Sequence, residues 1–362
     1  MISIEVHSAK HSYRVLIGSG LLAAVAAAIG QKLPAKRCAM ISDTNAGPLF
    51  AGGLAKSLRS EGYEPKLITV PAGEKSKTLE QAGDICEQMV SAGLDRESFV
   101  IGLGGGVIGD LSGFVAAIFH RGIPHVQIPT TLLAMVDSSI GGKTGVNAHS
   151  GKNLIGVFHP PDLVIEDIDV LKSLPLRELN QGFAEIIKHA IIADAEMFRE
   201  LEGVASPDRD WLNQSSFPEL IRRNVELKAR IIERDEHERT NYRALLNFGH
   251  TIGHGIERAT GYHGLMHGEA VSLGMVAACR ISIEKAGLPM EERDRIVGLL
   301  HKFRLPTQLP KNFPREKIID AIKFDKKFVH GAIRFVLTPT IGSANVSSDV
   351  TMEDIREAVN LL

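Results

Sequence analysis

SFVIGLGGGVIGD, from Ser98 to Asp110, reads as an apolar strand that runs into a glycine turn and opens a helix. Gly104, Gly106 and Gly109 form a GxGxxG pattern, in which backbone N–H groups at a positive helix end can approach a pyrophosphate. The usual fingerprint follows the first strand of its domain, with an acid about 20 residues further on for the ribose. Here several strand-like runs precede it and no such acid follows, so the pattern predicts a nonstandard nucleotide domain. The competing explanation is a glycine turn needed only for tight packing. Asp43, ending an earlier strand in SDTN, is the acid placed to serve an adenosine.

Working outward, SYRVLIG, CAMISD, KLITV, HVQIP and DLVIED are further short apolar runs, with Ala-rich or amphipathic stretches between several of them. That alternation predicts an α/β domain with a largely parallel, Rossmann-like sheet. From about Ser173 the pattern turns helical, around Glu185, over Glu219 to Arg234, over His250 to Ala259 and over Glu269 to Glu284. The expected division is an α/β domain over 1–171 and an all-α domain over 172–362. GVASPDRDWLNQSSFP, between two of these helices, reads as a surface loop. LLAAVAAAI, from Leu21 to Ile29, has the length of a signal-peptide core, but its strand-like lead-in SYRVLIG favours a helix packed on a sheet.

The 362 residues, 44% hydrophobic and 23% charged, suit a globular chain with two cores, and a formal charge of -2 argues against nucleic acid as main partner. No run approaches the roughly 20 apolar residues that span a bilayer. Three dispersed cysteines fit reduced thiols, so a cytoplasmic location is expected.

RALLNFGHTIGHGIE (Arg243 to Glu257) followed by HGEAV sets His250, His254 and His267 beside Arg243 and Asn247. His250 and His254, four apart, share one helix face and make half a zinc site, with packed or capping histidines as the plainer alternative. Thr251 stands where a zinc protease carries Glu, which makes that chemistry a poor fit. Glu185, Lys188 and His189 lie amid apolar residues in GFAEIIKHAII, where a carboxylate should be paired or metal-bound. Lys228 falls on the apolar stripe of Ile221, Val225 and Ile232. It either snorkels, the expectation for an isolated helix, or meets a buried anion. Glu74 and Lys77 in PAGEKSK follow a strand, and Thr130, Thr131, Lys143 and Lys152 lie in PTTLLAMVDSSIGGKTGVN and GKN, a region too rich in small polar residues to be core. These are ingredients of a phosphate or carboxylate pocket, or else of a solvated loop. DKK, at Asp325 to Lys327, reads alone as a charged turn. A nucleotide cofactor, a carboxylate with imidazoles and scattered cations together describe hydride chemistry on a metal-chelated alcohol bearing anionic groups.

SDTN, GGGVIGD, PTTLLAMVDSSIGGKT, GKN, GFAEIIKHA, RALLNFGHTIGHGIE, HGEAV and DKK, in this order over nearly the whole chain, resemble the 3-dehydroquinate synthase family, sugar-phosphate cyclases of the shikimate pathway. The resemblance implies zinc, with cobalt as an alternative, held by Glu185, His250 and His267, and makes His254 a substrate-facing group. It implies NAD bound by Asp43, Asn45, Glu74, Lys77, Gly105, Gly106, Asp110, Thr130, Thr131 and Lys152. Substrate contacts would come from Asp137, Lys143, Asn153, Lys188, Lys228, Arg243, Asn247, His254 and Lys326 or its neighbour Lys327, with Arg121 reaching across a homodimer interface. The implied substrate is an anionic sugar phosphate, 3-deoxy-D-arabino-heptulosonate 7-phosphate, turned into 3-dehydroquinate. Tyr242, where a smaller aliphatic residue is usual, and His120 before Arg121 are mild departures. The rival readings are an inosose- or valiolone-forming cyclase, a metal-dependent polyol dehydrogenase, and a nucleotide-binding protein without catalysis.

Overall fold

The computed structural model describes residues 1–8, 11–148, 151–236, 238–261, 264–323, 328–329 and 332–362. It divides into two compact units, one of Met1–Pro175 with Leu212–Ala229, the other of Leu176–Trp211 with Arg230–Leu362.

The first unit is built on strands β1 (Ile2–His7), β2 (Ser12–Gly18), β3 (Arg37–Asp43), β4 (Glu64–Val70), β5 (Phe99–Gly104), β6 (His125–Pro129), β7 (Lys143–Ala148), β8 (Gly151–Phe158) and β9 (Leu163–Asp167). Helices α1 (Val25–Gly30), α2 (Gly52–Ser60), α3 (Leu79–Ser91) and α4 (Gly106–Ile118) alternate with them. Seven strands form one sheet in the order β1-β2-β9-β6-β5-β3-β4, parallel throughout except for the edge pair β1–β2. The largely parallel α/β domain expected from the strand spacing is present.

Strand alternation decides which side chains go to which face. Phe99, Ile101 and Leu103 of β5 join Met40 and the α1 and α2 residues Val25, Ile29, Leu54 and Leu58 on one side. Val100 joins Ala39, Ile41 and the α3 and α4 residues Ile85, Met89, Leu111 and Val115 on the other. Both faces are therefore covered, which is why β5 is a continuous apolar run rather than an alternating one. Val25, Ala26 and Ile29 are buried there, so LLAAVAAAI is a packed helix, as its sequence context suggested.

The sheet explains the displaced glycine motif. β3 has β4 on one side and β5 on the other, so the strand order reverses at the β3–β5 pair. Ligands of such sheets sit beyond the carboxyl ends of the strands at that reversal. Asp43 ends β3, Gly104 ends β5, and the pairing of Ser42 with Leu103 sets the two ends side by side.

The second unit is helical, with α5 (Leu176–Ala193), α6 (Ala195–Gly203), α8 (His250–Ala259), α9 (His267–Ala286), α10 (Met290–Lys302), α11 (Arg315–Lys323) and α12 (Met352–Asn360); α7 (Ser216–Arg234) runs from the first unit into it. Two short antiparallel ladders, β10 (Phe328–Val329) with β11 (Ala332–Ile333) and β12 (Phe335–Thr340) with β13 (Ser343–Ser347), interrupt the all-α expectation. The surface-loop reading of 203–218 also needs correction. Trp211 is 5% exposed and stacks on Phe183 with centroids 5.4 Å apart, because an indole buries far more apolar area than its polar neighbours forfeit. Likewise Leu132, Met135, Val136 and Ile140, in a stretch expected to be too polar for core, are buried. Among the described residues no helix is long and apolar enough to cross a membrane.

Candidate active site

In the first unit, α4 starts at Gly106 immediately after β5. A Cβ on Gly106 would lie 2.8 Å from Ser138 Oγ, so a larger residue would have to displace that hydroxyl from the helix end. Packing is thus part of why the glycines are there, as the plainer alternative held. The strand-end position at the sheet's reversal is what packing does not explain. Asp43 Oδ1 accepts backbone N–H bonds from Asn45 and Ala46, both at 2.8 Å, closing the turn after β3.

Lys77, 4% exposed, is ion-paired with Asp110 of α4 and hydrogen-bonded to Asn153 Oδ1. Burial pushes the Asp110 carboxyl above its usual range; Lys77 opposes this, while Glu74 and Asp137 add to it. Glu74 accepts from Asn147 Nδ2 at 2.8 Å and faces Lys152 Nζ at 3.9 Å. Thr131 Oγ1 accepts from Ala134 N at 3.1 Å, and Thr130 is buried beside it. Lys228 does not snorkel: it is 6% exposed and ion-paired with Asp137, an anion that is itself only half-buried, and donates also to the Asp137 carbonyl at 2.5 Å. Lys143 starts β7 exposed. Arg121, also exposed, has φ of 70° just beyond α4, a strained left-handed conformation for a non-glycine residue.

The second unit holds the carboxylate and imidazoles. Gly249 precedes α8 with φ of 77°, and a Cβ there would lie 2.8 Å from Met275 N of α9. Glycine at this position therefore lets α8 press against α9, which brings His250 near His267. Glu185 of α5 is fully buried and ion-paired with Lys188, 1% exposed. Its Oε1 lies 3.5 Å from His250 Nε2 and 3.6 Å from His267 Nε2, and has no hydrogen-bond partner. Burial would raise the Glu185 carboxyl, but Lys188, His250 and His267 outweigh it and hold it well below the usual range. The imidazoles shift oppositely. Burial and Lys188 hold His250 well below its ordinary value, while His267, despite burial, is raised to about 10 by Glu185 and Glu257.

Glu185, His250 and His267 each offer a donor atom within 4.8 Å of the others. One carboxylate and two imidazoles, with an orphaned buried oxygen between the rings, fit a zinc-type ion that keeps a position open for substrate. His254 is exposed, its ring centroid 5.3 Å from that of His250, beside this trio. Arg243 is 4% exposed and donates to Glu236 O at 2.7 Å, and Asn247 lies half-buried in the same turn. Lys326 and Lys327 lie outside the described residues.

Sequence reading missed four supporting residues. Arg177 and Gln181 precede Glu185 on α5 at four-residue spacing, and Arg177 forms a two-pronged pair with Glu269 at 2.6 and 2.7 Å. Glu257, seven residues after His250 and three after His254, shares their helix face, a spacing that could have found it. Asp235 accepts from Arg239 N, Thr240 N and Arg243 N at 2.7 to 3.1 Å, setting the turn that carries Arg243.

The profile described as 3-dehydroquinate synthase N-terminal matches residues 67–181, and that described as 3-dehydroquinate synthase C-terminal matches residues 182–328. The chain belongs to the 3-dehydroquinate synthase family. It is 41% identical to the 3-dehydroquinate synthase of Desulforamulus reducens, covering 98% of both chains, and 42% identical to that of Thermodesulfovibrio yellowstonii, covering 99% of this chain and 100% of the relative. Among solved structures, 2-epi-5-epi-valiolone synthase from Streptomyces hygroscopicus subsp. jinggangensis 5008, with NAD+ and Zn2+ bound, is similar at a TM-score of 0.88 and 30% identity over 98% of each chain. Membership of the synthase family makes the protein an enzyme of the carbon–oxygen lyase class.

Proposed function

We propose that this enzyme converts 3-deoxy-D-arabino-heptulosonate 7-phosphate to 3-dehydroquinate and phosphate, using NAD and a divalent ion, zinc or cobalt. The observation carrying the reading is Glu185 Oε1, buried, orphaned and flanked by His250 and His267. The valiolone synthase that this chain resembles holds NAD+ and Zn2+, and the 3-dehydroquinate synthases are its nearer kin by identity.

The labour divides near residue 171, between an N-terminal part that binds NAD and a helical C-terminal part that holds the metal; Leu212–Ala229, expected in the helical part, packs with the first unit, and both parts supply substrate contacts. Asp43, Asn45, Glu74, Lys77, Gly105, Gly106, Asp110, Thr130, Thr131 and Lys152 would bind the dinucleotide, the free N–H groups at the start of α4 supplying partial positive charge for its phosphates. Glu185, His250 and His267 hold the ion. When bound, the ion lowers the cost of deprotonating a chelated hydroxyl, and NAD takes up and returns one hydride. No redox equivalent is consumed. The C–O bond to phosphate breaks by β-elimination, and one C–C bond forms in the closing aldol step.

The chain's own groups bind and orient. Lys143, Lys188, Arg243, Lys326 and Arg121 supply positive charge for the carboxylate and phosphate of the substrate, and Asn153 and Asn247 hydrogen-bond it. Lys228 and Asp137, fixed by each other, present one charge of each sign to hydroxyls. His254, exposed beside the metal ligands, holds the departing phosphate while it accepts a proton. Much of the rate then comes from positioning.

The enzyme is a cytoplasmic homodimer in this reading. Leu154, Val157 and Phe158 on β8 expose large apolar side chains, as interfaces do, and Arg121 reaches across to its partner. Incubation with the heptulosonate phosphate is expected to release inorganic phosphate without accumulating NADH, and chelator to stop it. NADH accumulation would make the protein a polyol dehydrogenase, and turnover only of a heptulose 7-phosphate lacking the carboxylate would make it a valiolone-type cyclase.

A further inference from the structure

His250 and His267 are turned alike. Each points Nε2 at the same oxygen, Glu185 Oε1, at 3.5 and 3.6 Å. Each also points Nδ1 at an acceptor on the far side of its ring. For His250 that acceptor is the backbone carbonyl of Phe248, at 3.2 Å. For His267 it is Glu257 Oε2, at 3.5 Å, from a side chain 6% exposed. An imidazole that offers Nε2 to a cation must carry its proton on Nδ1, and a group accepting that proton fixes both tautomer and ring angle. A carboxylate does this more strongly than a carbonyl, and also makes Nε2 a better donor.

We propose that Glu257 is the positioning residue of His267: it accepts the Nδ1 proton, fixes the ring with Nε2 toward Glu185, and strengthens the hold on the ion. The inference rests on the metal reading above and goes beyond it by naming a group that touches neither ion nor substrate. Its helix placement supports the role. Glu257 lies two turns along α8 from His250, so a single rigid element carries one ligand and the support of the other. His254, Glu257 and His267 also form a donor group in their own right, which makes direct ligation by Glu257 the outcome to be separated from positioning.

Zinc affinity is measured by competition with a chromophoric chelator on the wild type, Glu257→Gln and Glu257→Ala, with bound metal per chain and the visible spectrum of the cobalt-loaded protein recorded for each. Expected are one ion per chain throughout, affinity about 10- to 100-fold weaker in Glu257→Ala, and a smaller loss in the isosteric Glu257→Gln. The cobalt bands of Glu257→Ala should shift, a change that mere loosening of the fold would not give. Unchanged affinity and bands in both variants would overturn the proposal. So would two ions in the wild type falling to one in Glu257→Ala, which would make Glu257 a ligand. A wild type that binds no ion would overturn the metal reading instead.

Discussion

The side-chain oxygen of Gln181 accepts a hydrogen bond from the backbone N–H of Gly268 at 2.7 Å. Gln181 lies one turn before Glu185 on α5, and Gly268 follows His267 at the start of α9. A Cβ on Gly268 would lie 2.7 Å from the Gln181 carbonyl oxygen, so the contact depends on glycine as well. Arg177, one turn earlier, grips Glu269, whose carboxylate also accepts from Met266 N at 2.8 Å. One stripe of α5 therefore carries one proposed metal ligand and holds the backbone on both sides of another. Gln181→Leu leaves the buried Gly268 N–H unpaired, at a cost of about 1–3 kcal/mol. Urea unfolding is expected to report that loss, and chelator competition a zinc affinity about tenfold weaker. Wild-type affinity in a stably folded variant would remove Gln181 from the supporting shell.

Lys188 and Glu185 are a buried ion pair, and removing one partner of such a pair costs about 3–5 kcal/mol because the other charge is left uncompensated. In metal-free Lys188→Met the Glu185 carboxylate keeps only its histidine neighbours as compensation, and a bound ion would restore the lost positive charge. Zinc is therefore expected to raise the melting temperature of Lys188→Met more than that of the wild type. Equal increments in thermal unfolding with and without zinc would mean that Lys188 does not carry the charge balance of the metal-free site. Turnover should be lost in either case, since Lys188 is also assigned to substrate.

The alternation of short apolar runs with helical stretches made the sheet legible, because a parallel sheet covered on both faces writes its strands as runs such as FVIGLG. The reversal at β3–β5 was not legible: strand order depends on contacts between residues far apart in sequence. Asp43 and GGGVIGD were paired as parts of one site from sequence, and the sheet adds why their strand ends lie side by side. In the helical unit, four-residue spacing exposed His250 and His254, and family resemblance was needed to exchange His254 for His267 as a ligand. The choice left open for Lys228 could not be closed from sequence because its partner, Asp137, is 91 residues away. The β12–β13 ladder escaped because its strands are short, and in SANVS the alternation rests on Ala344 and Val346 alone.

His125 starts β6 with no solvent exposure and stacks on His159, centroids 5.0 Å apart and rings inclined by 17°. Burial, then His159 and His11, hold it well below its ordinary 6.5. An unfolded chain takes up this proton near pH 6.5, whereas the folded one does not until a lower pH. The contribution to stability is thus complete above about 6.5 and is lost as pH falls toward the folded value, at about 1.4 kcal/mol per pH unit for one proton. His125→Phe has nothing to titrate and should flatten that limb. Urea midpoints at pH 7.5 and 5.5 test this: an equal drop on acidification in wild type and variant would show that His125 is not responsible.

Metal uptake should expel a proton, and the opposed shifts of the two imidazoles say which one. His250 is already neutral at pH 7.5 through burial and Lys188, and Glu185 is already ionised. His267, raised to about 10, still carries both ring protons in the metal-free protein. Ligation through Nε2 requires one of them to leave, while the other stays on Nδ1 facing Glu257. Binding of one ion at pH 7.5 is therefore expected to release about one proton, and apparent affinity to rise about tenfold per pH unit until His267 titrates near 10. Calorimetric titration with zinc in HEPES and in Tris, whose ionisation enthalpies differ, counts the released protons directly. Identical heats in the two buffers would mean that His267 is neutral before the ion arrives, and that its two carboxylate neighbours do not hold the proton against burial.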